Sequence, residues 1–146
     1  MYCLATDIER RLGSERYDKL ALVSARGEDW DSIVEDAITE ASGLVDSYLM
    51  KQYFVPVGDA TDDSRPVPLV IRNLTTDIAL YLLWKRVGQA EKQPDIREGF
   101  HNAIDRLKDI ALGKAEIPSA TKDTENRGAD YGTEDRVFTA DDMKGF

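Results

Sequence analysis

From Ser32 to Val57 the apolar positions Val34, Ala37, Ile38, Ala41, Leu44, Val45, Tyr48 and Leu49 recur at the i, i+3, i+4, i+7 spacing of a single helical stripe. Glu35, Asp36, Glu40, Asp46 and Lys51 occupy the other faces. The pattern predicts a helix of about 20 residues, roughly 30 Å long. Asp31 or Ser32 starts it, with Glu35 placed to complete a capping box from Ser32. It runs straight into a Tyr53-x-x-Pro56 exit. A long amphipathic helix with no reactive group on its stripe points to packing and assembly.

Two shorter helices precede it. Thr6-Asp7-Ile8-Glu9 reads as a capping box that opens a helix through Leu12, and Gly13 stops it. Ser14 can cap a second helix, with Tyr17, Leu20 and Leu22 facing inward, before a turn from Gly27 to Asp29. After the long helix, Tyr53 to Pro68 is a polar loop. Pro56, Pro66 and Pro68 forbid helix through it, and Pro68 suits the first turn of the next element. Leu69 to Val87 is apolar on more than one face: Leu69, Val70, Ile71, Leu74, Ile78, Ala79, Tyr81, Leu82, Leu83 and Trp84. Such a helix is central, or is covered by a neighbouring subunit, and Gly88 ends it. Pro94 and Asp95 open the last helix, with Asp95 as cap and Glu98 three residues on. Its stripe is Ile96, Phe100, Ala103, Ile104, Leu107, Ile110 and Ala111, and Gly113 closes it. The predicted fold class is all-α: a small helical bundle of three long helices with short N-terminal helices, spanning residues 1–113.

The character changes at Lys114. From there to Phe146 the large apolar residues are Ile117, Tyr131, Val137, Phe138, Met143 and Phe146. These are too few to offset the conformational entropy of ordering the segment on its own. Residues 114–146 are expected to form an extended C-terminal tail that orders against a partner. Because the tail ends in the apolar cluster RVFTADDMKGF, Tyr131, Val137, Phe138, Met143 and Phe146 are the candidate partner-binding residues.

The length of 146 residues suits one domain, and the net charge of −9 narrows its partners. Gripping nucleic acid through phosphates needs a basic face. Here no Lys/Arg run exceeds a pair, Arg10-Arg11 or Lys85-Arg86. Specific DNA binding is not expected, and an acidic surface repels DNA. With Cys3 as the single cysteine no internal disulfide can form, which favours a reducing compartment. The start MYCLATDIERR lacks a basic region followed by an apolar run, so no signal peptide is expected. No apolar stretch approaches the roughly 18 residues of a membrane helix.

Candidate chemistry is sparse. His101 is the single histidine and lies one position off the Phe100 stripe, with no G-x-S-x-G nucleophile motif to serve. Zinc needs three or four His/Cys ligands, more than this chain owns. Asp59, Asp62 and Asp63 lack the spacing and trailing Glu of a calcium loop. Asp46 and Asp77, on two facing helices, form a conceivable acid/base pair, but a cap or an ion pair with Arg72 or Arg86 is the expected role of Asp77. The aromatics Tyr48, Tyr53, Phe54, Tyr81 and Trp84 read as core or subunit interface. No catalytic residue, metal site or cofactor is expected, and the chain is not expected to be an enzyme.

Taken in order, the motifs resemble the small neck protein family of Mu-like phages and prophages. The matching pieces are Tyr2 to Asp7, Leu12-Gly13, Asp31-Ser32-Ile33 through Ala37-Ile38 and Ala41, and Val45-Asp46-Ser47-Tyr48-Leu49. They continue with Tyr53-x-x-Pro56-Val57, Val67-Pro68-Leu69, Asp77-Ile78-Ala79-x-Tyr81-Leu82, the Ile104–Gly113 helix end with Lys114, and Val137-Phe138 with Gly145-Phe146. The chain departs from the pattern at Gln52, where a basic residue is expected, and in a longer Gly58–Arg65 loop. The resemblance implies a head–tail connector: a homo-oligomeric ring of about a dozen copies under the portal of the virion. DNA would pass through the ring without being specifically bound. The tail would dock on the portal protein, and tail-side neck or tail-terminator proteins would bind the other side. Such a protein would be assembled in the host cytoplasm, away from any membrane. A soluble interaction module of bacterial origin, binding a partner through Leu69–Val87, is the alternative. A small metal-dependent enzyme built on Asp46, Asp77 and the acidic loop is the third reading.

Overall fold

Asp29, rather than Asp31 or Ser32, caps the long helix. Its carboxylate accepts hydrogen bonds from the Asp31 N–H at 3.2 Å and the Ser32 hydroxyl at 2.9 Å, so the helix starts at Trp30. The computed structural model describes residues 1–118 and 120–122. Its helices are α1 (Ala5–Leu12), α2 (Ser14–Ala25), α3 (Trp30–Leu49), α4 (Leu69–Arg86) and α5 (Pro94–Ala111), with a single 3-10 turn at Ala90–Lys92. The described residues contain no strand, only an isolated antiparallel bridge between Tyr53 and Lys122. The fold is the all-α bundle that the periodicity predicts.

The caps differ in detail. At α1 the Asp7 carboxylate reaches back to the Leu4 N–H at 2.8 Å, so Leu4 rather than Thr6 is the cap position. Ser14 is the first residue of α2 instead of its cap, because Gly13 turns the chain at φ +93°. Gln93 precedes Pro94 at the start of α5, and Asp95 is spent on an ion pair with Arg16 at 2.9 Å.

Helix α4 lies at the centre and packs against α1, α2, α3 and α5. Ile71, Leu74, Ile78, Ala79, Leu80 and Leu83 are buried along it, with Thr75 and Thr76. The two threonine hydroxyls donate to the Ile71 and Arg72 carbonyls at 2.8 Å, so their burial leaves no polar group unsatisfied. Leu69, read as part of the apolar surface, is 71% exposed at the helix start. Helix α3 contributes Val34, Ala37, Ile38, Ala41, Val45 and Leu49 to the core as its stripe predicts, with Ile33 and Ser42 beside them. On α2, Leu20 and Ser24 turn inward one helical turn apart, which carries Leu22 to the opposite face, where it is 81% exposed.

Four ion pairs tie the N-terminal helices and the turn after α2 to the later helices: Asp7–Arg72 at 2.9 Å, Arg11–Asp77, Arg16–Asp95, and Glu28–Arg86 at 2.5 Å. The segment after Gly113, counted with the tail on sequence grounds, stays on the bundle as far as it is described. Ile117 is 4% exposed and belongs to the core.

The proline loop is pinned at its base. The Asp59 N–H donates to the Arg65 carbonyl at 2.8 Å, and the Ala60 N–H to the Met1 carbonyl at 2.9 Å. A Cβ on Gly58 would meet the Pro66 carbonyl oxygen at 2.7 Å and the Val67 Cα at 2.9 Å, both backbone. Gly43, inside α3, has nothing within 4 Å of the same position.

Gly58→Ala is expected to cost about 1–3 kcal/mol of stability through backbone displacement, whereas Gly43→Ala should add about 0.5–1 kcal/mol. Denaturant unfolding of both variants checks the contrast. Ile117→Ala is expected to cost about 2–4 kcal/mol, the signature of a core position rather than a tail. Thermal or denaturant melts read it directly.

Candidate functional site

Of the carboxylates singled out from the sequence, Asp46, Asp77, Asp59 and Asp62 each have a structural partner. Asp46 accepts a hydrogen bond from the Tyr2 hydroxyl, and Asp77 pairs with Arg11, whose other nitrogen reaches Asn73 at 3.2 Å. The expected partners of Asp77 are engaged elsewhere: Arg72 holds Asp7 and Arg86 holds Glu28. Burial raises the pKa of Asp77, and the Arg11 guanidinium works against that rise. Asp46 and Asp77 thus serve two separate contacts instead of facing each other as acid and base.

In the loop, Asp59 accepts from the Thr61 N–H at 3.0 Å and its hydroxyl at 2.8 Å. Asp62 does the same with Ser64, at 2.9 and 2.6 Å. These bonds lower both carboxyl pKa values. They are local Asx turns that shape the loop. Among the described residues no group of three or more His, Cys, Asp or Glu side chains is placed to hold a metal ion. The Cys3 thiol is fully buried, and that burial pushes its pKa up to about 11, the opposite of an activated nucleophile. His101 is exposed, edge-on to Phe100 at 5.5 Å, and Phe100 stacks on Tyr81 at 4.0 Å.

Two buried tyrosines do the connecting work. The Tyr2 hydroxyl donates to Asp46 on α3 and accepts from the Val57 N–H at 3.0 Å, while the Tyr2 N–H donates to the Ser42 hydroxyl at 3.1 Å. This clamps the N-terminal segment and the proline loop to one side of α3. Burial, with the Asp46 carboxylate adding to it, drives the Tyr2 phenol pKa far above its ordinary value. The Tyr53 hydroxyl accepts from the Ile117 N–H at 2.9 Å, and the neighbouring Phe54 N–H donates to the Thr121 carbonyl at 3.1 Å. Gln52, the departure from the expected basic residue, is 6% exposed and donates to the Ala111 carbonyl at 3.2 Å. It joins the C-terminal ends of α3 and α5.

Helix α3 turns Asp31, Glu35, Asp36 and Glu40 to solvent and has no Lys or Arg along its length. Phe54 and Leu112 stand 56% and 64% exposed near the joined ends of α3 and α5. Phe54 also walls a groove of about 230 Å³ with Pro56, Pro66 and Ala120. Of the five aromatics read as core or interface, Tyr53 is core, Tyr48, Tyr81 and Trp84 are half-buried, and Phe54 is exposed. Alternation in the extended exit predicts that difference, since consecutive residues there point to opposite sides. Leu112 escaped the sequence reading because it falls just past the α5 stripe. Tyr131, Val137, Phe138, Met143 and Phe146 lie outside the described residues. No helix among the described residues is long and apolar enough to cross a membrane.

Among known families, the model described as "Bacteriophage Mu, Gp36" matches residues 2–134. No curated protein matches the chain.

Tyr2→Phe should cost about 1–3 kcal/mol at neutral pH, because it leaves Asp46 and the Val57 N–H without their shared partner. The folded state holds the phenolic proton more tightly than the unfolded chain. Its stabilisation is therefore complete below the unfolded value of about 10 and fades as pH rises toward the folded one. The stability gap between the native chain and Tyr2→Phe should shrink above that pH, as read by denaturant unfolding across an alkaline series.

Proposed function

Because the chain belongs to the bacteriophage Mu Gp36 family, we propose that it is a structural protein of the virion neck, a head–tail connector. In this reading about a dozen copies form a ring beneath the portal protein and extend the DNA channel toward the tail. Tail-side neck or tail-terminator proteins meet its lower face. The protein is not an enzyme and carries no cofactor.

The observation that carries the reading is the extent of the family match. It runs from residue 2 to residue 134, through the bundle, the proline loop and into the acidic tail. The geometry supports it. Asp46, Asp77, Asp59 and Asp62 are held by Tyr2, Arg11, Thr61 and Ser64, so the carboxylates most open to a chemical role serve the fold. The exposed side of α3 is acidic, and a ring of such chains carries a formal charge on the order of −100, a field that lets DNA slide rather than adhere.

Residues 123–146 are the portal-binding element in this reading, with Tyr131, Val137, Phe138, Met143 and Phe146 as anchors. A truncation that tests this must end after Lys122, because Ile117 and the bridge from Tyr53 to Lys122 belong to the bundle. The expected result is a chain that melts as the full one does and no longer binds portal rings. Negative-stain images of the full chain mixed with its cognate portal should show an added ring of density. Absence of that density, or unchanged portal affinity of the truncated chain, would sink the reading.

A further inference from the structure

One end of the bundle brings exposed apolar and basic side chains together. There the C-termini of α3 and α5 meet, joined by the 3.2 Å hydrogen bond from Gln52 to the Ala111 carbonyl. Phe54 and Leu112 are 56% and 64% exposed at this end. Lys51, Lys108 and Lys114 are exposed near them, and none forms an ion pair among the described residues. The arginines of the helical seam, by contrast, are spent on Asp7, Asp77, Asp95 and Glu28. Helix C-termini favour cations, which accounts for the lysines. It does not account for an exposed phenylalanine and leucine beside them.

The described chain arrives at this same end. The Phe54 N–H donates to the Thr121 carbonyl at 3.1 Å, and Tyr53 is bridged to Lys122. Residues 123–146 therefore continue from the rim of a surface that carries Lys51, Lys108 and Lys114 with Phe54 and Leu112, and also exposed Asp109 and Glu116, the latter paired with Lys122 at 3.2 Å. In sequence they are its complement: residues 131–146 hold four acidic against two basic residues, net −2, together with Tyr131, Val137, Phe138, Met143 and Phe146.

We propose that this end of the bundle is a docking surface for residues 131–146 of the same chain. The apolar side chains cover Phe54 and Leu112, and the carboxylates of the segment face the three lysines. The stretch from Asp123 to Asp130 is polar and acts as the tether. A short tether holds the segment at an effective concentration of about 1 mM, so a contact with an intrinsic Kd of about 0.1 mM is occupied roughly ten to one. The inference does not depend on the neck reading. Where both hold, a portal has to displace the segment from its own bundle, which keeps the free chain from presenting its anchors early.

Hydrogen exchange measured on the full chain tests it. Amides of residues 131–146 are expected to exchange about ten-fold slower than free chain, with the same protection at every protein concentration. Protection should fall as salt rises from about 0.05 to 0.5 M. It should disappear in Phe54→Ser with Leu112→Ser, and in Lys51→Glu with Lys108→Glu and Lys114→Glu, while the helical melt is retained. If a variant does not fold, the salt series and the other variant decide. Exchange at the free-chain rate in the native protein, or protection that survives both variants, overturns the proposal. Protection that appears only as concentration rises also overturns it, by assigning the surface to a second copy. No portal enters the measurement, so failure here is distinct from failure of the neck reading.

Discussion

Helix α4 is buried on most of its sides between Ile71 and Leu83, and the rest of the molecule is arranged around that constraint. Its buried positions run from Ile71 to Leu83 on several sides. A single partner helix covers only one stripe, so α3 and α5 take two sides and the short helices α1 and α2 close the remainder. The polar groups of α4 serve the same end. Thr75 and Thr76 bond back to their own helix, and Arg72, Asp77 and Arg86 reach out to Asp7, Arg11 and Glu28. The ion pairs thus fix which way the N-terminal helices lie on a surface that apolar burial alone would leave free to slide.

The non-helical segments are held by a different device. Tyr2 ties the chain start and the proline loop to α3, and Tyr53 ties the segment after α5 to the α3 exit. Each tyrosine buries a ring and spends its hydroxyl on a backbone N–H from a segment distant in sequence. In a chain whose loop and C-terminal segment have few apolar residues, these hydroxyls supply order that packing cannot. For a protein proposed to work as a platform between larger assemblies, a stiff loop is the useful outcome, since rigid surfaces lose less entropy on binding.

Charge is partitioned rather than spread. Arginines from α1, α2 and α4 are consumed in internal pairs, the charged side chains that α3 exposes are all carboxylates, and Lys51, Lys108 and Lys114 stand exposed where α3 and α5 end. The net value of −9 hides this arrangement. An acidic flank and an end where lysines stand beside exposed apolar side chains offer different chemistry on one small molecule.

What could be read from sequence was local. The helices, their order, the central place of α4 and the inward stripe of α3 follow from apolar periodicity, which is written in neighbours three and four residues apart. Caps shifted by one to three positions: the Asp29 carboxylate takes the Asp31 N–H and the Asp7 carboxylate the Leu4 N–H, so these helices start before Ser32 and Thr6. Leu22 and Leu69 turned outward because the register of their helices was set by Leu20, Ser24 and Ile71. The partner of Asp77, the burial of Gln52 and the membership of Ile117 in the core belong to the tertiary structure alone. Each is a contact between residues far apart in the chain, made only when helix packing brings the two together, and no local pattern encodes which of several arginines or carbonyls will stand at the right place.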